Sequence, residues 1–298
     1  MTLVHVILLL VVLVNGAFAI LFIRDLIKHK GEVKAELFEN TGKTVVQAVV
    51  AGVTFFLSTF GISDFAISTV VFRQFKWVDD TRIPGTLNTE CVIPVAIMAL
   101  AYISSIDVEL TTLLLCIGGQ VVGAYIGPRF VVKMNVDTIK KFICVGLLIA
   151  SGLILMNKFG VYPSGGEALG LHGPKLALAA VLSLVYGALN NVGIGSYALT
   201  MATVYALGLN PNVAFPIMMG GCTFSVPVGS MQFVKYDSYS RKITLLTSTI
   251  GLIGVLVAVY IVKNLDVSAL QWVVAAVILY AAVSLIYELA KKGGAKTA

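Results

Sequence analysis

Charge is what this sequence has least of. Only 12% of its 298 residues are Asp, Glu, Lys or Arg, while 58% are hydrophobic and the mean hydropathy is +0.95. No polar stretch is long enough for a separate soluble domain. Histidine is scarce too: His5, His29 and His172 stand near segment ends and form no metal or catalytic set. The four cysteines, Cys91, Cys116, Cys144 and Cys222, lie singly in apolar segments without metal-ligand spacing and read as core thiols. There is no Ser/His/Asp set, phosphate loop or ATP-binding motif. The expectation is therefore no cofactor, no metal and no catalytic residues. The net charge of +6 does not point to nucleic acid, because the basic residues sit in short loops beside apolar segments.

What is there is a series of apolar segments. Leu3 to Ile23 is the first; Ala17-Phe18-Ala19 resembles a signal-peptidase site, but the positive stretch that should precede it is missing, so an uncleaved helix is expected. Residues 31–42 form a charged linker, read as an interfacial helix. A long stretch from Thr44 to Phe72 follows, then spans near Thr86–Ser104 and Glu109–Val131 around a Ser105-Ile106-Asp107 turn, and Phe142–Met156. A linker over 157–173 leads to a second long stretch, about Pro174 to Leu207. Spans near Val213–Val234, Ile243–Val262 and Ser268–Leu289 complete the chain.

Both long stretches carry a polar, glycine-bearing break. A helix crosses the hydrocarbon core in about 20 residues at about 1.5 Å each. The second stretch has about thirty, too many for one upright helix and right for two arms meeting at Asn190-Asn191-Val192-Gly193-Ile194-Gly195-Ser196-Tyr197. A broken backbone at membrane depth is tolerated only where protein or a water-filled cavity surrounds it, so the break is a candidate binding site. Gly61-Ile62-Ser63-Asp64-Phe65-Ala66-Ile67-Ser68 stands 132 positions before Gly193-Ile194-Gly195-Ser196-Tyr197-Ala198-Leu199-Thr200. Pro84 falls on Pro216 at the same offset, and Asn135-Val136-Asp137 echoes Asn264-Leu265-Asp266. The pattern predicts an internal duplication.

Basic residues decide how the breaks sit. If each long stretch crossed the bilayer, the four basic residues Arg129, Lys133, Lys140 and Lys141 would lie on the side opposite Arg24, Lys28 and Lys30. If each stretch enters and leaves on one side, all the strongly basic loops and the tail (Lys291, Lys292, Lys296) share the cytoplasmic side. The second scheme predicts an all-α polytopic membrane protein of two inverted repeats. Each repeat is a re-entrant broken-helix hairpin plus three transmembrane helices, and one extra transmembrane helix precedes them. The expected units are an N-terminal helix and cytoplasmic linker (1–43), the first repeat (44–157), an extracytoplasmic linker (158–173), and the second repeat with a cytoplasmic tail (174–298). The chain should lie in the cell membrane with its N-terminus outside and its C-terminus in the cytoplasm.

Duplicated halves, each opening with a Gly-Ile-Gly-type break and followed by a Pro-bearing helix and a small-residue helix, resemble the TauE/SafE sulfite-exporter family over roughly residues 44–289. Val192-Gly193-Ile194-Gly195 is similar to that family's repeat signature, whereas the first repeat has Ser63-Asp64 where glycines are common. The resemblance implies a secondary transporter that exports small sulfur-containing anions such as sulfite, sulfoacetate or other organosulfonates. An anion channel would share the same polar break and is the alternative; a membrane-embedded enzyme is a third class, disfavoured by the missing His/Cys/acid constellation.

The expected substrate residues follow from the breaks. Gly193, Gly195 and Ser196 open a half-helix whose free N–H groups and dipole suit an anion, or the glycines only permit a tight turn. Asn190 and Asn191 either donate to an oxyanion or satisfy the broken backbone. Ser58, Thr59, Gly61 and Ser63 hold the corresponding place in the first hairpin. Thr86, Asn88 and Thr89 correspond to the region of Gly221, Cys222, Thr223 and Ser225, where substrate contact competes with helix–helix hydrogen bonding. Asp64 and Glu90 are the acids inside the first repeat's apolar segments, and ionisable groups there are candidates for coupling a proton or another ion. For Asp64 the other reading is a helix cap.

Overall fold

The computed structural model describes residues 3–102, 108–161 and 165–260, with scattered positions between 272 and 290. Long apolar runs become helices because lipid offers the backbone no hydrogen-bond partner, and a helix satisfies each N–H and C=O within the segment. The chain forms α1 (Leu3–Lys28), α2 (Lys30–Glu39), α3 (Thr41–Ser58), α4 (Asp64–Gln74), α5 (Ile83–Tyr102) and α6 (Leu110–Ile126). It continues as α7 (Pro128–Val131), α8 (Val136–Lys158), α9 (Gly173–Asn190), α10 (Ser196–Ala206) and α11 (Ala214–Lys235). The next span is built from α12 (Arg241–Leu246), a π-helical turn (Thr247–Gly251) and α13 (Leu252–Tyr260). Among the described residues, eight helical segments are long and apolar enough to cross a membrane. The protein is an all-α polytopic membrane protein. Leu9 and Leu13 of α1, Val46 and Val53 of α3 and Val181 of α9 point outward, as a lipid-facing surface requires.

The span expected over 109–131 runs from Leu110 to Val131, its helical hydrogen bonding interrupted at Gly127 because Pro128, at the first position of α7, has no N–H to continue α6. The Ser105-Ile106-Asp107 turn, the Asn264-Leu265-Asp266 echo, most of the span at 268–289 and the lysines of the tail lie outside the described residues.

Both long stretches double back. Ala51 and Thr54 of α3 line one cavity with Ser68, Val71 and Phe72 of α4. Tyr186 Oη of α9 lies 2.6 Å from Thr203 Oγ1 of α10, and Lys175 Nζ donates to the Leu207 carbonyl at 3.2 Å, so that hairpin's two outer ends meet. The two hairpins match in length: an 18-residue arm, then an 11-residue arm. The turns match as well. Gly61 (φ +85°) and Gly193 (φ +91°) hold the left-handed conformation that ends a helix, which glycine adopts without steric cost. Gly61 N–H donates to the Ser58 carbonyl and Ile62 N–H to Leu57; Gly193 and Ile194 repeat the pair on Asn190 and Leu189.

The bundle has two distinct ends. At one, Arg241 pairs with Asp25 (2.7 Å), Lys140 with Asp80 (3.0 Å), and Lys242 Nζ donates to the Glu36 carbonyl (2.8 Å). This basic end gathers the loops around residues 25–43, 73–82, 140 and 235–242. At the other, Glu109 N–H donates to the Leu169 carbonyl, Asn210 N–H to Ala168, and Leu171 N–H to Thr112 Oγ1. The first hairpin opens toward the basic end and the second toward the linker end.

Between the hairpins run α5 and α11, each 83% buried over its apolar window. Both contain a proline, Pro94 and Pro227, which cannot donate to the carbonyls of Glu90 and Thr223 one turn earlier. Asn15 of α1 repairs the second gap: its Nδ2 donates to the Thr223 carbonyl (3.0 Å) and sits 3.1 Å from Thr223 Oγ1. Gly119 and Gly123 of α6 lie against the Ala180 and Leu184 carbonyls of α9, where any Cβ would collide with backbone.

Candidate functional site

The tips of the hairpins meet. Ser63 caps α4, its Oγ accepting from Ala66 N–H at 3.3 Å, and Asp64 is the first residue of that helix. Gly195 caps α10 and Ser196 begins it. A Cβ placed on Gly195 would stand 3.2 Å from both Ser63 Oγ and Phe65 Cβ, so the two tips are in van der Waals contact. Both helix N-termini thus open on one small cavity. Ser63, Asp64, Asn190, Gly195, Ser196 and Cys222 line its polar side, and Phe65, Cys91, Val95, Tyr197 and Val226 its apolar side.

Within the cavity, Asn190 Nδ2 donates to Ser196 Oγ at 3.2 Å, and Ser196 Oγ lies 3.2 Å from Cys222 Sγ. The Asp64 and Asn190 side chains are almost fully enclosed, and Asp64 Oδ2 and Asn190 Oδ1 have no hydrogen-bond partner. The void measures about 10 Å³, room for about one water. A polyatomic oxyanion does not fit in a void of this size.

The other candidate residues lie outside the lining of this cavity. Asn191 turns away from the cavity: its Nδ2 donates to the Gly187 carbonyl at 2.8 Å, and its side chain packs against Gly127 and Gly229. Asn88 ties α5 to the second tip by donating to the Asn190 carbonyl at 2.9 Å. Thr86 sits at the basic end, accepting from Ser240 N–H, and Thr89 Oγ1 meets Thr244 Oγ1 of α12 at 2.7 Å. Thr59 Oγ1 donates back to the Phe55 carbonyl, and Thr223 faces Asn15 of α1. Gly221 leaves space for the Gln120 side chain, Gly61 and Gly193 shape the turns, and Ser225 is enclosed in α11 away from the cavity lining. Ser58 stands beside the Asp64 carboxyl.

Glu90 lies one turn inward from Thr86 and faces a second void of about 10 Å³, shared with Gln47, Thr54, Ser68 and Thr247. Ser68 is its hydrogen-bonding neighbour, and Asp64 is within electrostatic reach. Cys91 was missed as a cavity residue by sequence reasoning. The signal was its place 131 positions before Cys222, nearly the repeat offset. Among the described residues no group of His, Cys, Asp or Glu is arranged to hold a metal ion.

With that geometry in hand, comparison with known proteins gives one match. The family described as sulfite exporter TauE/SafE matches residues 1–154, just over half of the chain. The chain belongs to the TauE/SafE family. The match takes in α1 and the whole first hairpin, including Ser63-Asp64 where glycine was the expected residue. No curated protein and no solved structure matches. Membership of this family makes the protein a multi-pass membrane transporter of the sulfite-exporter type.

Proposed function

We propose that this TauE/SafE protein is a secondary transporter that exports a small sulfur oxyanion, sulfite or an organosulfonate such as sulfoacetate, and holds it between the two hairpin tips. One observation carries the reading. The N-termini of α4 and α10 converge on a single enclosed cavity, and a helix N-terminus offers an anion unpaired N–H groups and the positive end of its dipole. Ser63, Ser196 and Asn190 add neutral donors, which suit an anion that must later leave. The α10 terminus is free for the substrate, while the Asp64 carboxyl occupies the α4 terminus. Asn191, Thr223, Thr86 and Thr89 hold the frame in this reading and do not touch the anion.

Two broken helices of equal length, opening toward opposite ends, are the arrangement expected of inverted repeats around a central site. We place the repeats at 44–157 and 174–298. The basic end is assigned to the cytoplasm by the positive-inside rule, which puts the start of α1 outside. A closed void of one-water size argues for alternating access over an open anion channel.

The test is exchange of labelled sulfite in proteoliposomes holding the full chain. Internal label should leave when external sulfite or an organosulfonate is added and stay when chloride is added. Absence of exchange with every sulfur anion would remove the proposed function.

A further inference from the structure

The two buried acids face different cavities, and this carries a consequence for coupling. Asp64 is 3% exposed and lines the tip cavity; Glu90 is 1% exposed and lines the neighbouring void. Asp64 Oδ2 and Glu90 Oε1 both lack a hydrogen-bond partner, and among the described residues neither acid has an ion pair. The Glu90 void holds a third orphan, Gln47 Oε1, so an acid and an amide oxygen share a space of about 10 Å³ that fits about one water. That void adjoins an open vestibule of about 220 Å³ at the basic end: Gln47, Trp77 and Ile243 line both.

We propose that Glu90 and Asp64 form a proton relay between the vestibule at the basic end and the anion site. The inference rests on the tip cavity being the anion site and adds the identity of the coupling ion and its route. A proton carried as hydronium in the vestibule passes to Glu90 Oε1 over a water in the Gln47–Glu90 void, leaving neutral water behind at each step. It then moves to Asp64 Oδ2, leaving Glu90 as it began. A protonated Asp64 donates a hydrogen bond into the cavity instead of presenting a negative charge to the anion. Proton and anion are therefore taken up together, and both leave when the tips part.

The charged and titratable groups around the route fit this task. The groups within electrostatic reach of Glu90 are Asp64 of α4 and Cys91 of α5, and Cys91 in turn faces Cys222 of α11; none of these is a cation. The cations Lys43, Lys76, Arg82 and Lys242 stand at the vestibule, beside Glu36, Glu39 and Asp79. Positive charge is thus kept at the mouth, where it gathers anions, and away from the relay, where it would fix a carboxylate in its charged form.

The experiment compares two transport modes in proteoliposomes of the full chain, with [35S]sulfite as probe and the membrane potential clamped at zero. Exchange at equal pH tests the anion site; accumulation driven by a pH gradient tests the relay. Sulfite's own protonation and leak are the same for parent and variant, so their difference belongs to the protein. Glu90→Gln should keep exchange and lose gradient-driven accumulation, which one proton per anion sets at about tenfold per pH unit. Glu90→Asp, which keeps a carboxyl, should retain accumulation, and it serves as the probe should Glu90→Gln not fold. Infrared difference spectra should show the carbonyl stretch of a protonated carboxyl that Glu90→Gln removes. Accumulation in Glu90→Gln equal to the parent overturns the relay and leaves the anion site standing. Loss of exchange and accumulation together places Glu90 in the anion site and also overturns it. A parent that exchanges no sulfur anion removes the tip site, and the relay with it.

Discussion

Gly195 and Ser63 touch across the middle of the protein: a Cβ on Gly195 would lie 3.2 Å from Ser63 Oγ. One residue caps the second half-helix of one hairpin, the other caps its counterpart. That contact closes the cavity, and in the proposed mechanism parting it admits the anion.

Gly195→Ala should weaken the closed contact without straining the backbone, because Gly195 has an ordinary negative φ of −61°. Overpacking of this kind costs about 1–3 kcal/mol. The native thiols of Cys91 and Cys222, nearly inaccessible in the closed state, should then react faster with N-ethylmaleimide. An unchanged rate would mean that the tips do not depend on this contact.

Neighbouring asparagines should behave differently. Asn190 lines the cavity, so Asn190→Leu should weaken sulfite binding by about 1–3 kcal/mol if its amide is a desolvated donor. Asn191 lies outside the cavity and bonds the Gly187 carbonyl, so Asn191→Leu should lower thermal stability and leave the affinity of the folded fraction as it was. The reverse pattern would exchange their roles.

Asn15→Leu leaves the Thr223 carbonyl, already abandoned by Pro227, without its donor. Leaving a buried acceptor unsatisfied costs about 1–3 kcal/mol. The expected result is a lower melting temperature with unaltered sulfite affinity. A large loss of affinity at normal stability would bring Thr223 back into the site.

Topology is checked by single cysteines at exposed positions, probed with an impermeant thiol reagent. Asp79 and Lys133 should be reached only from the cytoplasm, and Glu167 only from outside. Lys140 is unsuitable because its side chain is buried against Asp80. Labelling of Asp79→Cys from outside would mean that the first broken stretch crosses the bilayer.

The sequence made the helices and both breaks legible for a physical reason. Gly61 and Gly193 occupy left-handed turns, and an equal offset of polar and small residues around them reports equal hairpins. The directions of side chains on α5 and α11 were not legible. These helices are buried on nearly all sides, so no polar stripe marks which face meets the cavity. That is why Thr86, Thr89 and Thr223 looked equivalent to Cys222, although their partners are Ser240, Thr244 and Asn15. The role of Asn15 needed the three-dimensional pairing with the carbonyl freed by Pro227. The division at Gly127–Pro128 was within reach of the sequence, since proline has no N–H to continue the helix.

Sulfite titration of the purified chain by calorimetry, comparing the parent with Gly195→Leu and Thr223→Val, bears on the tip site most directly. The parent and Thr223→Val should bind saturably, and Gly195→Leu, folded and monodisperse, should show no binding because its side chain fills the space before the α10 terminus. Binding by Gly195→Leu equal to the parent's would put the anion somewhere other than between the hairpin tips.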